Sequence, residues 1–172
     1  MKKIFSIIFI LIAIPLLTGC SKGSALPPEN KYDQKPTQEA IQEVKFTGEK
    51  GVAVDIADSK IVLDSKTFDD GLAHYYNTQL RGKTVYFFVV KDKDGIYRAA
   101  ANACQVCANS KMGFEQDGNF MVCNTCGNKY PLEKIATERG GCNPVPINPN
   151  LKIKDGQVII DQSDLNQIIS FF

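Results

Sequence analysis

"TVYFFVVKDKDGIYRAAANACQVC", residues 84–107, sets the fold class. Residues 84–90 are β-branched or aromatic at both odd and even positions, which suits a strand buried on both faces rather than one alternating between core and water. Asp92, Lys93, Asp94 and Gly95 make a turn whose glycine is free to take positive φ, and residues 96–103 return as the antiparallel partner. The hairpin delivers the chain to Cys104 and Cys107. Tyr86, Phe87 and Phe88 read as core residues.

On the N-terminal side, Val52, Val54 and Ile56 alternate with residues of mixed polarity. Residues 61–63 follow a turn at Asp58, Ser59 and Lys60, so this region predicts a hairpin or meander. On the C-terminal side, a second hairpin turning at residues 116–119 leads through Phe120, Met121 and Val122 to Cys123 and Cys126. Strands are expected at 151–153 and 158–160 around Asp155 and Gly156, followed by a short helix capped by Ser163. The fold class is mostly β: a small Rieske-like or zinc-ribbon-like β domain over residues 44–172 with two C-x-x-C knuckles.

Residues 1–19 have the layout of an export signal: Lys2 and Lys3, an apolar run from Ile4 to Leu17, then small residues. Leu17, Thr18, Gly19 and Cys20 resemble the lipobox of bacterial lipoproteins, in which cleavage precedes the cysteine and acyl chains are added to it. The apolar run is shorter than the roughly 20 residues of a spanning helix. Cys20 is therefore the expected lipidation site, and residues 20–43, polar and proline-containing, a flexible linker that lifts the domain off an extracytoplasmic membrane face. A formal net charge of +1 carries no electrostatic footprint for nucleic acid.

Exported thiols normally oxidise, so the cysteines need a reason. Cys104 and Cys107 are separated from Cys123 and Cys126 by fifteen residues, a spacing that reads as a metal site. Two facing knuckles give four thiolates in a tetrahedral set suited to zinc, to iron or to an iron–sulfur centre. Gly127 supplies a residue able to adopt positive φ beside the second pair. Disulfides are the alternative in an exported domain, but they give no account of the knuckle spacing. A thioredoxin-type motif needs a helix start, which "CGNKYP" opposes, and covalent haem needs a histidine where Ala108 and Gly127 stand. No triad, phosphate loop or carboxylate pair marks an enzyme.

"GLAHYY", "VYFFVVKDKDGIYRAAANACQVC", "GFEQDGNFMVCNTCGNKYPL" and "GGCNPVPIN" together resemble the FtrD-like family, iron–sulfur-containing membrane proteins associated with bacterial iron uptake. The resemblance runs from about Val52 to the C-terminus. It implies an iron–sulfur cluster, electron transfer, and a membrane permease or reductase as partner. The order of strand, turn, ligand pair, hairpin and proline loop is also similar to Rieske domains, but the single histidine, His74, excludes a two-histidine site. An all-thiolate cluster implies a potential of about −400 mV.

Cys142, in a loop that corresponds in order to the covering loop of Rieske domains, is a candidate extra ligand, neighbouring group or redox thiol, or else a buried small hydrophobe. His74 is a candidate only through the resemblance. The export route leaves the metal open, because a chain exported unfolded acquires zinc, copper or mononuclear iron more readily than a preassembled cluster. Three functions follow: an electron-transfer domain, a structural zinc domain, and a copper or iron carrier.

Overall fold

A computed structural model describes residues 44–172. The expected signal peptide, the lipidation site Cys20 and the linker lie outside the described residues. In chain order the strands are β1 (Val52–Ala53), β2 (Lys60–Asp64), β3 (His74–Leu80), β4 (Lys83–Lys91), β5 (Tyr97–Cys104), β6 (Phe114–Asp117), β7 (Phe120–Cys123), β8 (Lys129–Pro131), β9 (Pro144–Asn148), β10 (Lys152–Lys154) and β11 (Gln157–Asp161). They form a five-stranded sheet in the order β1-β3-β4-β5-β9 and two three-stranded sheets, β10-β11-β2 and β6-β7-β8. One short helix, α1 (Gln162–Asn166), follows β11. The mostly-β expectation holds.

β4 is the centre of the construction, paired antiparallel with β3 and β5. Its alternation sends Val85, Phe87 and Val89 into one core and Phe88 and Val90 into another. The first core is completed by Ile61 and Leu63 of β2, Val158 and Ile160 of β11, and Leu165 and Ile168 beyond them. The second is completed by Phe114 of β6, Met121 of β7, and Leu132 and Ile135 after β8. Burying each large apolar side chain contributes about 1.5–3 kcal/mol, so a one-residue slip of β4 would exchange both sets and is strongly disfavoured. β3 and β4 are joined through Arg81 and Gly82, both at positive φ, as a tight two-residue hairpin requires.

β5 is Ala-rich and almost wholly buried. Its outer neighbour β9 pairs irregularly, with Ala100 opposite Pro146 and Cys104 opposite Pro144. Prolines donate no ladder hydrogen bond, which confines β9 to the sheet edge. The opposite edge is the two-residue β1, too short to recruit another chain.

Three sequence expectations are corrected. Residues 52–56 and 61–63 do not pair as a hairpin: β1 runs parallel to β3, with Val52 opposite Tyr76, and β2 pairs with β11. The chain reverses at once over Asp58 and Ser59, both at positive φ, closing a bridge between Ala57 and Lys60. Ile61 and Leu63 gain burial against β11 that an exposed Val52 cannot offer. The helix cap is Asp161 rather than Ser163, and the Asp161 side chain makes no capping bond because it faces Lys152 instead. Of the aromatic trio read as core, Phe87 and Phe88 are fully buried, whereas Tyr86 is half-buried and stacks on Phe46.

The β4–β5 turn is fixed from inside. The buried Asp92 carboxylate accepts the backbone N–H groups of Asp94 at 3.0 Å and Ile96 at 2.9 Å, and the Arg98 Nε at 2.9 Å. Both side chains of this ion pair are withdrawn from water. Removing one partner leaves the other charge uncompensated, which costs about 3–5 kcal/mol. Asp92→Ala is therefore expected to lower the unfolding free energy by about that amount, read as a shift in the urea midpoint with an unchanged slope.

Candidate metal centre

Three chain segments converge on one point. Cys104 closes β5, and a turn of 3₁₀ helix over Ala108–Ser110 follows Cys107. Cys123 closes β7, and Gly127 at φ 71° turns the chain after Cys126, as its place in the sequence predicts. The third segment is the approach to β9. Because Cys104 lies opposite Pro144, the chain two residues earlier is carried to the same place, and Cys142 joins the knuckles.

The sulfurs of Cys104, Cys107, Cys123 and Cys142 all lie within 4.8 Å of one another. Cys142 Sγ is 3.4 Å from Cys104 Sγ, 4.0 Å from Cys107 Sγ and 2.8 Å from Cys126 Sγ. Among the described residues, all five cysteines are free thiols. Three of the expected quartet, Cys104, Cys107 and Cys123, come together, and Cys142 rather than Cys126 completes the close group of four. Cys126 sits at the exposed rim in contact with Cys142. His74 is placed elsewhere: its Nε2 is 3.0 Å from Asp70 Oδ2, its ring packs edge-on against Phe68, and it is not part of the sulfur group.

A lattice of side-chain hydrogen bonds locks the segments together. Ser110 Oγ donates to the Cys107 carbonyl at 2.7 Å and meets Thr125 Oγ1 of the second knuckle. Asn124 Nδ2 donates to the Met112 carbonyl at 3.0 Å, and Asn128 Nδ2 to the Cys142 carbonyl at 3.1 Å. The Gln105 backbone N–H donates to the Asn143 carbonyl at 3.0 Å, while the two side chains pair as well. Beneath the centre, fully buried Asn102 accepts the Phe114 N–H at 2.7 Å and donates to the Glu49 carbonyl at 2.8 Å. A methyl group on Gly113 would stand 2.6 Å from Asn102 Oδ1, so only glycine fits there. Sequence reading missed these positioning residues, although one signal was present: Asn102 is a lone amide in an apolar strand, and such a group must find partners.

The electrostatics follow from crowding. Burial, then the negative charge of Cys104, pushes the Cys107 thiol up to about 11. Burial and the hydrogen bonds to Cys126 and Cys104 push Cys142 up further. Cys126 goes the other way, to about 7, because the Cys142 thiol and then the Asn128 backbone N–H donate to its sulfur. Several thiolates this close need a cation among them, since like charges at such range each suppress the other's ionisation. A tetrahedral ion with metal–sulfur bonds of about 2.3 Å sets its sulfurs about 3.8 Å apart. The spacing seen here brackets that value, and the group contains neither histidine nor carboxylate. The donor set fits a thiophilic metal.

Two outcomes are expected. In metal-free protein, iodoacetamide labels Cys126 first, with a rate that rises with pH through about 7 as the thiolate forms, while Cys107 stays protonated and slow; peptide mass spectrometry resolves the sites. In metal titrations of single Cys→Ser variants, Cys142→Ser weakens affinity by about tenfold or more, Cys126→Ser weakens it less, and His74→Ala leaves it unchanged.

No curated protein matches the chain. A family model described as "Membrane iron-sulfur containing protein FtrD-like" matches residues 68–172, which take in β3 to β11 and all five described cysteines. That span is more than half of the 172 residues. The chain belongs to the FtrD-like family of membrane iron–sulfur-containing proteins.

Proposed function

We propose that the chain is a lipid-anchored, extracytoplasmic electron-transfer domain whose all-cysteine metal centre serves bacterial iron uptake, through a membrane permease or reductase as partner. The observation that carries this reading is the convergence of four cysteine sulfurs, with Cys126 beside them, without any other type of donor in the group. Thiolates stabilise iron centres of low potential, and the bound iron supplies reversible one-electron chemistry. The protein's own contribution is to hold the sulfurs fixed by the lattice around Asn102, Ser110 and Asn143, so that little rearrangement accompanies a change of charge. Exposed Cys126 and Val106, the latter 68% accessible, lie at the outer edge of the knuckles, where a partner can approach the centre closely.

The membrane location rests on the family description and on the lipobox-like residues around Cys20. Among the described residues no helix is long and apolar enough to cross a membrane. Attachment through acyl chains on Cys20 is consistent with that, each buried methylene contributing about 0.8 kcal/mol.

The sulfur spacing favours a second reading of the cofactor. A polynuclear cluster spreads its terminal sulfurs over different iron atoms, whereas the group here has the spacing of ligands on a single ion. Mononuclear iron keeps the redox role; zinc would leave a structural domain, and copper(I) would make a carrier that uses Cys142 as an additional sulfur.

Protein purified anaerobically from the membrane fraction is expected to be coloured and to bleach with dithionite. Acid-labile sulfide accompanying iron identifies a cluster, and iron without sulfide identifies a single thiolate-bound ion. Colourless protein carrying stoichiometric zinc or copper(I), with no dithionite-dependent change, overturns the electron-transfer reading.

A further inference from the structure

A tetrahedral ion takes four ligands, and five thiols stand at the site. Cys126 is the one outside the close group. Among the described residues it is also the one exposed thiol: Cys104 and Cys123 are buried, and Cys107 and Cys142 are intermediate. A reagent arriving from solution therefore meets Cys126 first. Its sulfur stands 2.8 Å from Cys142 Sγ, closer than Cys142 stands to Cys104, at 3.4 Å, or to Cys107, at 4.0 Å. A disulfide bond is about 2.05 Å long, so the two sulfurs have less than about 1 Å to travel.

The backbone around this pair both presents it and leaves it room. Asn128 Nδ2, two residues after Cys126, donates to the Cys142 carbonyl at 3.1 Å, so the second knuckle holds the third segment against itself. On the other side, the Gly140 N–H donates to Gln105 Oε1 at 2.8 Å. Gly140 and Gly141 carry the chain into Cys142 at positive φ, and a Cβ on either, or on Gly127 beside Cys126, would meet nothing within 4 Å. Backbone with so few packed neighbours can take up a small shift as the sulfurs close. Cys104 and Cys123 have no such freedom, because they are packed in the second core with Phe114 and Met121.

We propose that Cys126 and Cys142 form a thiol–disulfide exchange pair at the rim of the centre, with Cys126 attacking and Cys142 resolving, and that closing the pair releases the metal. The oxidant is an exchangeable disulfide, either a small molecule or a partner protein. Cys126 sulfur attacks one sulfur of that disulfide, forming a mixed disulfide and expelling one thiol, which takes the proton Cys126 gives up. Cys142 sulfur then attacks Cys126 Sγ and expels the second thiol, which receives the Cys142 proton. Two protein thiols are thereby oxidised by two electrons, and one external disulfide is reduced to two thiols. Cys142 is lost from the group of four, leaving Cys104, Cys107 and Cys123. The pairing rests on the sulfur geometry alone; its effect on the ion rests on the thiolate-metal reading above.

The test treats the full chain, loaded with zinc and kept under argon, with glutathione disulfide. Peptide mass spectrometry maps the cross-link, and a chromophoric chelator reports zinc release. The expected product is one disulfide joining the Cys126 peptide to the Cys142 peptide, with zinc released in step with it and rebound after dithiothreitol. Cys142→Ser is expected to stop at a glutathione adduct on Cys126, and Cys126→Ser to slow oxidation by about tenfold or more. A first cross-link within either C-x-x-C, or between Cys104 and Cys142, overturns the proposal, and the parent chain alone decides this. Zinc retained after the pair has closed overturns the release step. Metal-free chain that closes the same pair upholds the exchange chemistry whatever ion the centre holds in the cell, so a failure of the electron-transfer reading, seen as colourless protein indifferent to dithionite, is told apart from a failure of this one.

Discussion

Four sulfur atoms within 4.8 Å of one another, with a fifth, that of Cys126, against Cys142, are the constraint around which the rest of the structure is arranged. Uncharged, they are small hydrophobes that pack tolerably well; ionised, they repel. Burial and mutual proximity raise the thiols of Cys107 and Cys142, and only the rim residue Cys126 is drawn toward ionisation, by donors on its own side of the site. A cation at the centre reverses these preferences at once, because each sulfur then gains more from the metal than it loses to its neighbours. The arrangement is stable as a thiol cluster and poised as a metal site.

The sulfurs are held by ordinary secondary structure rather than by a special motif. Each knuckle is the overhang of a hairpin strand, and the third segment arrives because β9 is paired beside β5. Cys104 and Cys123 are themselves members of the second core, so the packing of Phe88, Phe114 and Met121 fixes the ligands directly. Polar side chains act where packing cannot: Ser110 to Thr125 bridges the knuckles, and Gln105 to Asn143 clamps the third segment. Rigidity at the centre is thus inherited from the sheet.

Much of this was legible in the sequence because local rules and burial agree. β4, the Asp92–Gly95 turn, β5 and the hairpin at 116–119 follow from alternation and turn chemistry and occur where those predict. What could not be read depends on long-range pairing. The register that sets Cys104 opposite Pro144 joins residues forty positions apart, and it alone turns Cys142 from an orphan thiol into a member of the group. The parallel docking of β1 on β3 and the pairing of β2 with β11 are of the same kind: competing partners for short apolar segments, decided by which core has room. Tyr86 illustrates the limit on one face, since an aromatic in a strand reads as core until Phe46 and Phe172 are known to sit over it at the surface.

The two cores divide the work. The first, built on Val85, Phe87 and Val89 and closed by β2, β11 and the C-terminal turns, contains no cysteine. It can bury its apolar side chains whatever the state of the sulfurs. The second contains Cys104 and Cys123 and is closed by short strands, loops and thiols, so its order depends more on what occupies the centre. A small zinc finger has no equivalent of the first core and unfolds without metal. Here β4 belongs to both cores at once, and the metal-free site remains mounted on a sheet that keeps its register. Such a domain can meet its metal after it has folded, with the sulfurs already near their places.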